Sequence, residues 1–424
     1  MFQRTIEEWN NQTSCDNADT TGPNEHGRHA VGLFRFHISS VADTRGVRAI
    51  WRICTALFFK ISSCGCSNCV DRPRPCYESG VEGGETVQTT TVQKHLLGGV
   101  ATGIGSLPHR DAREAAEFAF FATPELPCIP SLPRRSPAEA MIAQAVVGIR
   151  GISIGQYGSL MVNVERIDPL AEVKTDLEHD AFVGLRTFLE FAQGYTGPVK
   201  WQFTGPVTLG LALIRAGVPM HTAFEVAVRT VRTHVRNIYD AVESALPSSA
   251  QVVFIDEPEM ADLMEDSFPI APDTAIDLMS GALAAVEREG LVGLHCCSDV
   301  DGASLLASGP AILSVPVNDN LKNYAGVLAK FLENGGVVAW GAVATDGPLM
   351  PSAERAWKKL SGLWCELVQG GCDAQKLRQQ SLITPACGLA MHSEDSAAQI
   401  FMQVRDIGER VRTQALATRL NVGA

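Results

Sequence analysis

The sequence predicts an α/β protein whose body, residues 96–424, folds as a (β/α)8 TIM barrel. Short apolar runs alternate there with longer amphipathic stretches, which is the pattern of βαβ units around a parallel sheet. Seven or eight such units over about 330 residues favour a closed barrel over an open sheet. The polar motifs follow the apolar runs, and this is where a barrel of this type gathers its catalytic loops.

Residues 1–95 differ from the body because they are rich in polar residues and show no clear amphipathic period. We expect an irregular or disordered extension, or sequence translated from a start placed too far upstream. The cluster Cys64-Gly-Cys66-Ser-Asn-Cys69 has one CxxC step and no matching second pair. A structural zinc or iron–sulfur site is therefore the less favoured interpretation of this cluster.

The predicted strands and helices of the body follow one another in order. The strand candidates are Gly99–Leu107, Val199–Thr204, Gln251–Asp256, Gly290–His295, Ala311–Val315, Val337–Ala342 and Gln380–Pro385. The clearest amphipathic segments between them are Thr222–Ala245, Ala275–Glu289 and Glu354–Val368. Trp201 and Trp340 fall inside predicted strands, so we expect both in the core.

The composition favours small-molecule chemistry in the cytoplasm. With 35 basic and 47 acidic residues the net charge is −12, and the basic residues are scattered, so no electrostatic footprint for nucleic acid exists. No apolar run reaches the ~18 residues that a membrane-spanning helix needs. The N-terminus lacks the apolar core of a secretory signal. We therefore expect the 12 cysteines to be reduced thiols, metal ligands or packing residues.

A zinc site is predicted at the end of one strand, in Gly293-Leu-His295-Cys296-Cys297. Side chains alternate along a strand, so His295 and Cys297 point to one face and Cys296 to the other. A third ligand must come from elsewhere, and Cys387, after another apolar strand, is placed to supply it. Three protein ligands leave one position open, which is typical of catalytic zinc.

Thiolate ligands suit the activation of a substrate thiol. A thiol reacts as its thiolate, whose formation a bound metal ion favours at neutral pH. The alternative is that the two cysteines are small buried apolar residues and His295 is a core histidine. We interpret Cys128, Cys365 and Cys372 as packing residues.

From about Gly98 to the C-terminus the sequence resembles the cobalamin-independent methionine synthase family, in particular its short, single-barrel members. Five ordered motifs carry the resemblance. They are Thr102-Gly-Ile-Gly-Ser-Leu-Pro-His109, Thr204-Gly-Pro-Val-Thr208, Phe254-Ile-Asp-Glu-Pro258, His295-Cys-Cys297 and Ser381-Leu-Ile-Thr-Pro-Ala-Cys-Gly388. The fold implied is a barrel of the uroporphyrinogen decarboxylase and methionine synthase type.

The resemblance implies a function and a site. It implies Zn²⁺ as cofactor, held by His295, Cys297 and Cys387, and homocysteine as the thiol that receives a methyl group. It implies that Asp256, with Glu257 beside it, receives the substrate amine. The substrate carboxylate would meet the loop formed by Ile104, Gly105 and Ser106. Asp256 and Glu257 have another interpretation, as a helix cap with first-turn charges.

Two departures from the family bear on the fourth ligand and the methyl donor. Large family members carry a glutamate ligand near the position of Pro316, which cannot ligate. They also carry a tryptophan that stacks on folate where this chain has Ala212. We therefore expect three protein ligands, and a methylated corrinoid protein as donor rather than methyltetrahydrofolate.

Three other functions stay open at this point. One is methyl transfer to coenzyme M or another thiol, and another is porphyrinogen decarboxylation, which needs no metal. The third is a protein that sequesters a thiol or metal without catalysis. His109, Arg110, Arg134 and Arg135 could line the mouth of the site, and the last two could instead solvate their loop.

Overall fold

The computed structural model describes residues 98–155 and 158–422, and side chains as far as residue 414. The predicted extension 1–95 and its cysteine cluster lie outside the described residues. The strands of the described part are β1 (Val100–Ala101), β2 (Ile152–Ile154), β3 (Leu160–Val162), β4 (Val199–Thr204), β5 (Gln251–Asp256), β6 (Leu291–His295), β7 (Ile312–Pro316), β8 (Val337–Val343) and β9 (Ser381–Pro385).

Helices follow most of the strands, as the alternating pattern predicts. They are α1 (Ala112–Ala122), α2 (Met141–Ala145), α3 (Val183–Phe191), α4 (Pro206–Arg215), α5 (Met220–Ala245), α6 (Pro272–Leu283), α7 (Gly302–Ala307), α8 (Ala325–Glu333), α9 (Glu354–Gln369), α10 (Ala374–Gln379) and α11 (Glu394–Val422). Three of them begin at an aspartate whose side chain accepts backbone N–H groups of the first turn, at Asp111, Asp301 and Asp373.

The seven strands β1 and β4–β9 form one parallel sheet in the order β1-β9-β8-β7-β6-β5-β4. Strands β2 and β3 form a separate antiparallel hairpin. Because consecutive strands are parallel neighbours, each connection crosses over through a helix, and the carboxyl ends of the strands share one edge. The chain is therefore an α/β protein, which confirms that part of the prediction.

One segment bonds to both edges of the sheet. On one side, Ile129 N–H donates to the Lys200 carbonyl of β4 at 2.7 Å. On the other side, Leu107 N–H, which follows β1, donates to the Ser131 carbonyl at 3.0 Å. Two isolated parallel bridges mark the same contacts, Cys128 with Lys200 and Ser106 with Ser131. The sheet is therefore curled, with the segment 127–131 between its edges.

The core lies on the inner side of the curled sheet and beneath the helices. Its central cluster takes one or two apolar residues from six of the seven strands of the parallel sheet, among them Phe254, Leu291 and Ile312. Trp201 and Trp340 are 2% and 0% exposed, which confirms that they are core residues. No described helix is long and apolar enough to cross a membrane.

The predicted strand boundaries agree best with the observed ones for strands that are buried on both faces. Val199–Thr204 and Gln251–Asp256 match β4 and β5 at both ends. The candidate Gly99–Leu107 is wrong in length, because regular pairing ends at Ala101 and only a single bridge follows at Ser106. The expectation that Cys365 is a packing residue is also wrong, since its thiol is exposed on α9.

Candidate functional site

The site is built at the carboxyl ends of the parallel strands. Asp256 ends β5 and pairs in register with Thr204 of β4 and with His295 of β6. His295 in turn pairs with Ser314 of β7. Residues that pair directly in a parallel sheet point to the same side, so these four polar side chains share one layer. All four are at most 5% exposed.

His295 is held on one ring nitrogen and has no partner on the other. Its Nδ1 shares a hydrogen bond of 3.0 Å with Ser314 Oγ. Its Nε2 is buried and has no hydrogen-bond partner. Buried polar atoms are usually paired, and an unpaired imidazole nitrogen close to two thiols is compatible with a bound metal ion.

Cys387 lies in contact with both other predicted zinc ligands. A hydrogen bond from Cys297 and the neighbouring His295 ring lower the pKa of the Cys387 thiol to about 4, against the opposing effect of burial. The pKa of Cys297 is raised, because its hydrogen bond to Cys387 and its burial both favour the neutral thiol. The pair therefore holds one thiolate more readily than two.

Cys296 stands apart from this pair. It is fully buried, and its sulfur lies 3.1 Å from Ser298 Oγ, which donates to the Pro258 carbonyl. Burial raises the pKa of its thiol. Cys296 thus anchors the β6 loop onto the β5 loop, as a packing residue does.

The donors suit zinc in chemistry, and they are neighbours rather than an assembled coordination sphere. Two thiols and one imidazole are a common zinc ligand set. The orphaned Nε2 of His295 supports a metal at this position. Within residues 98–155 and 158–422, however, no three or more His, Cys, Asp or Glu side chains are grouped so as to hold a metal ion.

Asp256 provides a second buried group without a partner. Its Oδ1 makes no hydrogen bond, and the residue is 5% exposed. Burial raises the pKa of its carboxyl to about 6, against the opposing effects of His295 and Lys200. A buried carboxylate oxygen without a hydrogen bond fits a cationic or hydrogen-bond-donating part of a ligand.

Glu257 is turned toward α4. Its carboxylate accepts the N–H groups of Val207 at 2.9 Å and Thr208 at 2.7 Å, in the first turn of that helix. Gly205 has no side chain because a Cβ there would overlap the Glu257 carboxylate. Burial raises the pKa of Glu257 to about 7, against the hydrogen bonds from Thr208 and Val207. The carboxylate thus caps a helix from outside it, at the positive end of the helix dipole.

The loop of Ile104, Gly105 and Ser106 lies against the loop that carries Cys387. Leu389 N–H donates to the Ser106 carbonyl at 2.8 Å. A Cβ on Gly388 would overlap the Ser106 hydroxyl, so the glycine after Cys387 permits this close approach. The structure therefore brings the first predicted motif and the last one together.

Three residues of the site were missed by the sequence analysis. Ser314 supports His295, and Lys200 and Gln202 of β4 lie beside the first loop. Lys200 could have been noticed, because a lysine inside a predicted buried strand is unusual. The contact of Ser314 with His295 joins two strands and leaves no signal in a single sequence.

The four residues that could line the mouth of the site lie in surroundings that differ from one to the next. His109 is buried against Phe118, with ring centroids 4.8 Å apart, and burial lowers its pKa to about 4. Arg110 is exposed. Arg134 donates to the His392 carbonyl at 2.6 Å, and Arg135 bonds Glu139 at 2.6 Å and Asp180 at 2.8 Å. The two loop arginines therefore have protein partners.

Comparison with known proteins identifies no family. No family model and no curated protein matches the chain. Among solved structures, the chain is similar to the crystal structure of bee venom hyaluronidase in complex with a hyaluronic acid tetramer. The sequences are 11% identical and the TM-score is 0.30, over 62% of this chain and 84% of that chain. At this level the similarity carries no argument about fold or function.

Proposed function

We propose that this chain is a zinc-dependent methyltransferase that methylates the thiol of homocysteine to give methionine. The observation that carries the proposal is the closeness of Cys387 to Cys297 and His295, together with a buried His295 Nε2 that makes no hydrogen bond. His295, Cys297 and Cys387 would hold the zinc ion. When bound, zinc would supply a lowered pKa for the substrate thiol, so that the acceptor reacts as a thiolate at neutral pH.

The proposed fold is a closed (β/α)8 barrel of the uroporphyrinogen decarboxylase and methionine synthase type. Segment 127–131 supports it, because this segment occupies the position of an eighth strand between β1 and β4. A closed barrel places the ends of β1, β5, β6 and β9 around one opening. Those are the strands whose ends carry the predicted site residues.

The protein groups around the thiol would orient the acceptor. Asp256, whose Oδ1 has no partner, would accept hydrogen bonds from the substrate ammonium group. Backbone N–H groups of the Ile104–Gly105–Ser106 loop would bind the carboxylate. With the amino acid fixed at both groups, the sulfur is aimed at the methyl carbon and displaces the donor in line. The residues need no general base for this step.

A methylated corrinoid protein is the proposed donor. Ala212, on buried helix α4, is 8% exposed and offers no aromatic surface for a pterin ring. Stacking of a ring on an aromatic side chain contributes about 1–3 kcal/mol, as measured for bases. Without such a platform, a cofactor delivered by a partner protein is the better supported source of methyl.

Asp256 also favours homocysteine over coenzyme M as the acceptor. Coenzyme M carries a sulfonate and no amine, so a buried carboxylate beside it would repel the ligand. Homocysteine carries an ammonium group that can neutralise Asp256. The unpartnered Oδ1 therefore supports an amino-acid thiol.

The proposal is tested by a comparison of donors with homocysteine as acceptor. The full chain, loaded with zinc, is assayed with methylcobalamin, a methylated corrinoid protein and methyltetrahydrofolate. We expect methionine with the corrinoid donors, and none from the Cys387→Ala variant. Cys365→Ser is the matched control, because Cys365 is exposed on α9. Porphyrinogen decarboxylation by a metal-free protein would overturn the proposal, and activity with folate alone would overturn the donor.

A further inference from the structure

Lys200 is a fully buried lysine inside the parallel sheet. It lies in the middle of β4, pairs in register with Val252 of β5, and is 0% exposed. Lysine is almost never buried to this extent without a partner, because removing its charge from water is costly.

The partners of Lys200 are neutral. Its Nζ donates to the Ile104 carbonyl and to Gln202 Oε1, the second at 3.1 Å. The same Nζ lies 4.4 Å from the centre of the Phe254 ring, in a cation–π contact. No described carboxylate forms an ion pair with it. Lys200 thus contributes a positive charge beneath the loop that follows β1.

The contact with Ile104 fixes a peptide unit of that loop. The carbonyl of Ile104 and the N–H of Gly105 belong to the same peptide group. Gly105 has φ +153, and a Cβ there would overlap the amide of Gln202, so the loop packs directly on β4. The Gly105 N–H has no hydrogen-bond partner among the described residues. One side of the peptide is therefore held by the lysine, and the N–H on the other side is unpaired.

We propose that Lys200 is a positioning residue for recognition of the carboxylate of the acceptor thiol. By donating to the Ile104 carbonyl, its ammonium group holds the loop in place and polarises the peptide unit, which makes the Gly105 N–H a stronger donor. The positive charge also raises the local potential toward an anion. The inference rests on the proposed function. It states that Lys200, on β4, helps the site to recognise the carboxylate group of the acceptor.

The test compares two thiols that differ only in the carboxylate. Homocysteine has it, and 3-aminopropane-1-thiol lacks it but keeps the amine. For each protein, kcat and KM are measured with both thiols, and homocysteine binding is measured by calorimetry. For Lys200→Met we expect the preference for homocysteine in kcat/KM to fall about 10- to 100-fold, mainly through KM. Lys200→Arg, which keeps the charge, should restore part of the preference.

Lys359→Met is the matched control, since Lys359 is exposed on α9; it should keep the wild-type preference. If Lys200→Met retains the preference, the inference is overturned although the proposed function stands. If the wild-type chain methylates neither thiol with any donor, the proposed function fails instead. If Lys200→Met does not fold, Lys200→Gln, which removes the charge but keeps a polar side chain, replaces it. An unchanged preference in that variant overturns the inference.

Discussion

His295 and Ser314 lie on neighbouring strands and share a hydrogen bond of 3.0 Å between Nδ1 and Oγ. This bond fixes the imidazole ring while Nε2 stays buried without a partner. Hydrogen bonds of this kind orient a metal-binding histidine and select the nitrogen that ligates. The proposed zinc site therefore depends on a serine that is not itself a ligand.

Substitution of Ser314 is expected to weaken zinc binding without unfolding the protein. In Ser314→Ala the ring loses its orienting partner, and such changes typically reduce metal affinity about 10- to 100-fold. Competition with a chromophoric chelator measures the zinc affinity. Ser308→Ala is the control, because Ser308 is equally buried but donates to Leu305, away from the strand ends. Equal zinc affinity in both variants would contradict the role of Ser314.

Asp256 is expected to recognise the amine of the acceptor. Asp256→Asn should lower kcat/KM for homocysteine about 10- to 100-fold, because a charge-assisted hydrogen bond contributes roughly 1.5–3 kcal/mol. With 4-sulfanylbutanoate, which lacks the amine, the same substitution should change kcat/KM by less than about 3-fold. Asp262→Asn, in the exposed part of the following loop, should change neither value. A similar loss with both thiols would show that Asp256 acts on something other than the amine.

Glu257 is expected to stabilise the fold through α4. Its removal in Glu257→Ala leaves the N–H groups of Val207 and Thr208 without their acceptor, at a cost of about 2–4 kcal/mol in the free energy of unfolding. The value is measured by urea denaturation at pH 8, above the raised pKa of about 7. Glu259→Ala, two residues away, removes an exposed pair with Arg215 and should cost less than about 1 kcal/mol. Equal costs for the two variants would contradict the capping role.

His234 is expected to reduce stability as the pH falls. It is fully buried, its Nδ1 lies 2.7 Å from Thr175 Oγ1, and burial lowers its pKa from 6.5 to about 4. Above pH 6.5 the ring is neutral in both the folded and the unfolded state, so it contributes no pH dependence. Between pH 6.5 and about 4 the unfolded state takes up the proton first, and stability is lost.

At about 1.4 kcal/mol per pKa unit, the loss approaches 3 kcal/mol. His234→Gln should remove this part of the pH dependence, measured as the free energy of unfolding at pH 7 and pH 4.5. His221→Gln is the control, because that side chain is 83% exposed. If the two variants show the same pH dependence, His234 is not the group responsible.

The parts of the structure that the sequence predicts are those with a local pattern. β4 and β5 are continuous apolar runs, and the positions of Asp256 and His295 at strand ends follow from where such runs stop. The segment 127–131 was missed because Pro127 and Pro130 interrupt it, and proline argues against a strand. The hairpin of β2 and β3 was missed as well, since its strands are only three residues long.

The contacts that complete the site depend on packing between distant parts of the chain. Ser314 reaches His295 from the neighbouring strand, and Glu257 reaches the start of α4 about 50 residues earlier. A motif shows that Glu257 is present, but it does not show which helix the carboxylate meets. The roles of Lys200 and Gln202 also depend on packing, because the loop that follows β1 lies against β4.

The most direct test of the central claim is X-ray absorption at the zinc edge of the zinc-loaded protein, recorded without and with homocysteine. We predict that the acceptor adds one sulfur to the zinc shell, from two sulfur scatterers to three, and that Cys387→Ala abolishes this change. The difference between the two spectra is the readout, because zinc bound by the six cysteines of residues 1–95 contributes equally to both. A zinc shell that stays the same when homocysteine is added would contradict thiol activation by His295, Cys297 and Cys387.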